Sequence, residues 1–316
     1  MLPYQKVLKV LQKLRIVDYL LCVFLCTAAL TIGKKVRPHC RQFSWQDATI
    51  GHTYAGAGLF PSWSLAPIAI LPALIYFVVE LIRALLWRPD TRPSHGPSTS
   101  LDLVTNALET RNSERMNMRR CHTEEADGGT VINTSDGEEA GGNARWWLFL
   151  EKLNHWLLAQ AFSVTLSMFI VDITKLYAGR LRPDFLARLE NEGYSEKSTG
   201  VDWCKVAREG RLSFPSGHAA ISFSSIVTLV LFFVGHLQVF YFASPLRLFL
   251  SMLPLILPIV VAVSRTRDNR HHFSDVLAGG IIGTGCALLS VTVLFRVVKR
   301  NGMFLPRRQD YASKRW

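Results

Sequence analysis

Carboxylates are scarce in this sequence, with 24 Asp and Glu against 36 Lys and Arg, and no acidic cluster stands beside its polar motifs. A magnesium site built from protein oxygens is therefore not indicated. Cysteine is also sparse: Cys22, Cys26, Cys40, Cys121, Cys204 and Cys286 include no pair with zinc-ligand spacing and a histidine partner, so no metal is expected. Three of them lie in apolar segments, where a thiol is usually a small packing residue. No cleavable leader is evident, because the first apolar run starts near Ile16 and lacks a small-residue cleavage site. No nucleic-acid motif accompanies the net charge of +12, which excludes DNA or RNA as the natural partner of those cations. Residues 88–145 contain almost no aromatic side chain and are rich in Asp, Glu, Arg, Asn, Thr and Gly. Such a segment cannot build a core and is expected to be a disordered cytosolic insert, with its sequon at Asn133 unmodified.

Apolar residues are what the chain has in excess: 49% of it is hydrophobic, in runs long enough to cross a bilayer. Spans are expected at about 16–32, 63–86, 156–177, 219–242, 248–263 and 276–298, after an amphipathic lead-in over residues 1–15. Glu80 and Arg83 are spaced to pair on the second. The expected fold is all-α, an integral membrane bundle of six transmembrane helices, divided into an N-terminal region (1–87), the insert (88–145), a membrane core (146–298) and a basic tail (299–316). An even number of spans puts both termini on one side, and the basic cluster from Arg296 to Arg315 makes that side the cytosol. The loops after spans one, three and five then share the extracytosolic face. Lys34, Lys35, Arg37 and Arg41 would lie on that face too, against the positive-inside rule. So would Cys40 and Cys204, which could form a bridge or remain two free thiols.

Three polar blocks interrupt the apolar runs. Lys175 and Arg182-Pro183 follow span three, Phe214-Pro-Ser-Gly-His218 opens span four, and Ser264-Arg265 to Asp275 joins spans five and six. Lys175, Arg182 and Arg265 could clamp phosphate oxygens through charge-assisted hydrogen bonds. Ser216 and the unhindered backbone of Gly217 add donors at a helix N-terminus. His271 and Asp275 are four residues apart, so on a helix the carboxylate would share a face with the imidazole and fix its tautomer. Among neighbouring residues, Asp172 is expected to pair with Lys175, while Arg180, Arg267, Arg270 and His272 read as flanking charge. Gly279 and Gly283 read as a close-packing face of span six.

In this order the blocks K-x6-R-P, P-S-G-H and S-R-x5-H-x3-D resemble the signature of the type 2 phosphatidic acid phosphatase superfamily. Within it the chain most resembles the eukaryotic lipid phosphate phosphatases, over about 156–298, with 41–50 only loosely similar to their first outer loop. The resemblance implies an active site at the extracytosolic interface and phosphate release from lipid monoesters or pyrophosphates such as phosphatidate, lysophosphatidate or diacylglycerol pyrophosphate. It implies that His271 attacks phosphorus to give a phosphohistidine, Asp275 orients it, and His218 protonates the leaving oxygen and then activates water. Lys175, Arg182, Ser216, Gly217 and Arg265 would bind the phosphate, with no metal or cofactor. The expected setting is a multi-pass protein of the plasma membrane or an endomembrane, with lipids as partners and homo-oligomers compatible. The alternatives are a sphingoid-base or polyisoprenoid phosphatase, or a silent lipid-binding protein of the same fold. A silent protein would be expected to have lost His218, His271 or Asp275, and all three are present. A transporter would show internal repeats and polar residues at mid-span, and neither is read in the sequence.

Overall fold

The computed structural model describes residues 14–56, 58–86, 135–297 and 302–307, with 135–144 described by their backbone only. The lead-in over residues 1–13, most of the 88–145 insert with Asn133, and the end of the basic tail lie outside the described residues. The chain divides into two units, one of Met1–Arg83 with Leu148–Trp316 and one of Ala84–Trp147. In the second, only the end of one helix and the start of another are described. All three polar blocks belong to the first.

Among the described residues six helices are long and apolar enough to cross a membrane. They are α1 (Ile16–Lys35), α2 (Leu65–Leu86) behind a 3-10 turn at Ser62–Ser64, and the part of α3 (Ser135–Ala178) from Arg145 on. After a short outer helix α4 (Phe185–Asn191) come α5 (Gly217–His236) and a one-turn helix α6 (Val239–Phe242). The fifth span is broken into α7 (Pro245–Met252), a 3-10 turn through Pro254, and α8 (Ile256–Arg267); the sixth is α9 (Phe273–Leu294). Proline explains the break, because it supplies no amide and clashes with the preceding turn. All six expected spans are present, with shifted ends.

Helix α5 is the centre of the bundle: 61% of its apolar window is buried, against 17–33% for the other five. Outer helices instead present side chains such as Leu20, Phe24, Ile70 and Leu74 outward, as lipid contact requires. The closest partner of α5 is α9. A Cβ on Gly279 would stand 2.4 Å from the Ser216 carbonyl oxygen, and one on Gly283 would stand 2.2 Å from that of Ala220. The two glycines are thus the packing face expected of them, and they set the height of the Ser216-Gly217-His218 turn against α9.

The spans carry more interior polarity than their sequence suggested. Gln160 of α3 donates to Ser225 Oγ at 2.7 Å and to the Ala69 carbonyl at 3.0 Å, and accepts from Tyr76 at 3.1 Å. Ser225 in turn donates to the Ile68 carbonyl. These groups satisfy one another across α2, α3 and α5, which is what a polar side chain in hydrocarbon requires. Glu80 does not pair with Arg83 as expected; its carboxylate meets His236 Nε2 at 2.8 Å, joining α2 to the end of α5. The chain is also not wholly helical. Span six ends at Leu294, and Phe295–Val297 forms an antiparallel pair with Phe304–Pro306, so part of the expected tail folds back. Phe295 then stacks on Trp156 at 4.2 Å between ring centroids.

At the opposite end the loops after spans one and three form a small core of their own. Ile50, Leu181, Phe185, Leu186, Leu189 and Ala207 are buried together beneath Phe43, Trp45, Tyr194, Trp203 and Val206. Edge-to-face contacts link Phe43 to Phe185 and Trp203. The fully buried Arg211 binds the Arg41 and Trp203 carbonyls and lies over the Phe185 ring. Cys40 and Cys204 are bridged, with Cα atoms 5.3 Å apart, which decides the question the sequence left open. This cap fixes one border of the region into which the three polar blocks converge.

Candidate active site

Each block is delivered by the end of a span. Lys175 sits in the last turn of α3, and the chain turns sharply at Gly179, whose φ of +53° and approach to the His39 carbonyl exclude a side chain. The turn brings Arg182 under the outer cap, where its amide binds the Gly210 carbonyl at 2.8 Å. Ser216 caps α5, accepting from the Ala219 amide, and Gly217 follows it as the first helical residue. A Cβ on Gly217 would stand 3.1 Å from Lys175 Nζ, so the missing side chain makes room for the ammonium at the positive end of α5. The Ser216 amide binds the Asp275 carbonyl at 2.9 Å and the Ala219 amide is capped by Ser216, which leaves the Gly217 and His218 amides of the first turn with no acceptor within the helix.

The third block departs from the geometry its spacing suggested. His271 and Asp275 do not lie on one helix: α8 ends at Arg267, Asn269 has a φ of +51°, and α9 starts only at Phe273. His271 Nδ1 lies 2.7 Å from the Ser213 carbonyl oxygen and 3.7 Å from Asp275 Oδ2. A ring nitrogen facing a carbonyl must carry the proton, so Nδ1–H donates to Ser213 and Nε2 keeps its lone pair. The expectation of one shared helix is corrected accordingly, while Asp275 still faces the same Nδ1 and joins the Ser213 carbonyl in holding its proton. Asp275 is fully buried and closes a capping box, accepting from the His272 amide at 2.9 Å. It also accepts from Ser213 Oγ at 2.5 Å and from Arg180 Nη1 at 2.7 Å. The carboxylate thus acts on His271 directly and also through Ser213, whose hydroxyl it holds while the same residue's carbonyl holds the ring.

Arg180 therefore does more than supply flanking charge, since it neutralises Asp275 and also binds Ser274 Oγ. Arg265 is buried and held on one side by Asp268 at 3.0 Å, whose carboxylate also takes the Leu59 amide. Asp268 and Ser213 are the positioning residues that the motif pattern gave no reason to select. His272 binds the Leu181 carbonyl, and Arg270 binds the Gly56 carbonyl with its guanidinium 5.3 Å from the Tyr54 ring. The expected Asp172–Lys175 pair is absent from the ion pairs among the described residues.

What remains unpaired is the informative part. Arg182 Nε and His218 Nε2 are buried polar atoms with no hydrogen-bond partner. Lys175, Arg182, Arg265 and His271 all lie within electrostatic reach of His218. Burial lowers Arg182 to about 10 and His271 to about 3, the latter opposed by Asp275 and reinforced by Arg182 and Lys175. Burial thus keeps the imidazole neutral and nucleophilic at ordinary pH. Three cations, a helix N-terminus and an unprotonated ring nitrogen within electrostatic reach of one another are the groups needed to hold a phosphate and attack it. Among the described residues no group of three His, Cys, Asp or Glu side chains could hold a metal ion.

A model of the PAP2 superfamily matches residues 156–299, the stretch that carries all three blocks. The chain is 40% identical to a PA-phosphatase related-family protein of Dictyostelium discoideum, over 46% of this chain and 49% of that protein. It is 38% identical to lipid phosphate phosphatase 2 of Arabidopsis thaliana, over 42% and 48%. It is 36% identical to diacylglycerol pyrophosphate phosphatase 1 of Saccharomyces cerevisiae, over 36% and 43%. The chain spans about half the length of these curated relatives. No solved structure matches it. The matched PAP2 stretch covers α5, α8 and α9 entire and α3 from Trp156, so it contains every candidate site residue while leaving out α1, α2 and the first outer loop.

Proposed function

We propose that this protein is a membrane phosphatase that removes phosphate from lipid monoesters or pyrophosphates, of the phosphatidate, lysophosphatidate or diacylglycerol pyrophosphate kind, without magnesium. The observation that carries the reading is the arrangement at His271. Its Nδ1 is committed to the Ser213 carbonyl at 2.7 Å, and Nε2 is left as the nucleophile. Attack of Nε2 on phosphorus forms an N–P bond while the bond to the leaving oxygen breaks. Burial and the neighbouring Arg265 disfavour a charge on His218, so its unpartnered Nε2 must take up a proton along with the bound phosphate dianion; it gives that proton to the leaving oxygen and then takes one from the water that cleaves the phosphohistidine. Lys175, Arg182 and Arg265, with the Gly217 backbone and Ser216 at the α5 N-terminus, hold the equatorial oxygens. They supply the positive charge that metal ions supply in kinases.

Relatives named for lipid phosphate and diacylglycerol pyrophosphate hydrolysis support this substrate class. The site would face the extracytosolic side, with both termini in the cytosol. Purified protein in mixed micelles, given a panel of lipid phosphates in the presence of EDTA, tests the proposal. Phosphate release from at least one of these lipids is expected with chelator present. Activity restored only by added magnesium would refute the metal-free scheme, and no release from any lipid phosphate would refute the function.

A further inference from the structure

The basic residues at the outer end of α1 take no part in the phosphate site. Lys34, Lys35, Arg37 and Arg41 stand at the site end of the bundle. Arg37 and Arg41 border a cavity of about 1150 Å³ between α1 and α3. Its floor is apolar, made by Ile32, Val36, Ile173, Leu176 and Tyr177. No acidic residue lines it, and Arg180 closes the side towards the site. Tyr177 is 88% exposed and Ile173 41%, so the floor opens outward at the level where α1 and α3 end. Arg180 Nη1 is committed to Asp275 and Ser274, and no hydrogen bond of the described residues engages its other nitrogens. An apolar trough at the end of two spans, rimmed by three guanidiniums and no carboxylate, fits a ligand with long apolar chains below one anionic phosphate.

We propose that this groove is a binding site for an anionic membrane phospholipid, distinct from the lipid that is hydrolysed. Its acyl chains lie against Ile32, Ile173 and Tyr177, and its headgroup phosphate meets Arg37, Arg41 and the free edge of Arg180. A phosphodiester lipid suits the site, because it offers one negative charge to the rim and no phosphomonoester to His271. The inference goes beyond the proposed hydrolysis and does not depend on which lipid phosphate is cleaved.

The test uses the full chain in detergent, exchanged against phosphatidylglycerol or phosphatidylcholine and washed, with retained lipid counted by native mass spectrometry. Wild type should keep phosphatidylglycerol and release phosphatidylcholine. Arg37→Gln should weaken retention about fivefold, the effect of one interfacial cation on an anionic lipid, and Arg37→Lys should restore it. Ile173→Trp should fill the groove and abolish retention while leaving hydrolysis of a short-chain substrate intact. Equal retention of both lipids, or unchanged retention in Arg37→Gln and Ile173→Trp, would overturn the proposal. So would competitive inhibition by phosphatidylglycerol, raising KM and relieved by excess substrate, because the groove would then belong to the hydrolysed lipid.

Discussion

Replacing Gly279 by alanine should damage turnover although Gly279 carries no functional group. The added Cβ would stand 2.4 Å from the Ser216 carbonyl oxygen, 3.1 Å from the Ala219 Cβ and 3.3 Å from the Ala220 amide. Backbone cannot rotate away as a long side chain can, so α5 and α9 must separate by about 1 Å to restore ordinary contact. Overpacking of this kind costs roughly 1–3 kcal/mol of stability. The larger effect is positional. Ser216, Gly217 and His218 ride on α5 while His271 and Asp275 stand at the start of α9, so the separation moves the two halves of the site apart. A displacement of about 1 Å costs on the order of 100-fold in rate. Gly280→Ala is the internal control, because its Cβ would meet only the Phe223 ring at 3.5 Å, an ordinary contact. Phosphate release from phosphatidate in mixed micelles should show kcat reduced on the order of 100-fold in Gly279→Ala and nearly unchanged in Gly280→Ala. Equal activity of the two variants would refute the claim that the α5–α9 contact sets the geometry.

Arg180→Gln removes the partner of the buried Asp275 carboxylate at 2.7 Å, and Arg180 is itself 31% exposed, so thermal unfolding should report a loss of roughly 1–3 kcal/mol. Arg267→Gln, at an exposed position of the same block, should stay within about 0.5 kcal/mol of wild type, and equal losses would contradict the role given to Arg180. Because burial holds His271 to about 3, below the ordinary imidazole value near 6.5, its lone pair should survive as pH falls through that interval. The unfolded chain binds the proton first, so this group's contribution to stability is full above about 6.5 and is lost towards 3. The acid limb of kcat/KM should then follow the second ionisation of the substrate phosphate and move when a pyrophosphate lipid replaces a monoester; a limb fixed near 6.5 for both would mean an imidazole is titrating instead.

The three polar blocks, the helical class and the number of spans were legible in the sequence because each rests on local pattern: apolar run length, fixed spacing and an even helix count. The placement of His271 and Asp275 on one helix was misread because a spacing of four means a shared face only within a helix. Here the positive φ of Asn269 breaks the chain, and the ring finds the Ser213 carbonyl, 58 residues away in sequence. Arg180 and Asp268 were missed for a related reason. Their partners, Asp275 and the Leu59 amide, come from other loops, and nothing local distinguishes a charge that will be neutralised from one that will stay in water. The pairing of Glu80 with His236 in place of Arg83 is the same lesson inside the bilayer, where the nearest sequence neighbour lost to a residue on an adjacent helix. The small outer core escaped notice because its aromatic residues are scattered over two loops, and only the Cys40–Cys204 bridge gave any hint that these loops meet.

The central claim is that His271 Nε2 becomes bonded to phosphorus. The direct measurement is to trap the phosphoenzyme, using diacylglycerol pyrophosphate labelled in its terminal phosphate and the His218→Ala variant. The pyrophosphate leaving group needs little protonation, so the first step should survive the loss of His218 while hydrolysis of the intermediate stalls. The account predicts acid-labile, alkali-stable label on the peptide containing His271, accumulating in His218→Ala and absent when His271→Asn is added. Label on any other residue, or turnover that persists in His271→Asn, would contradict it.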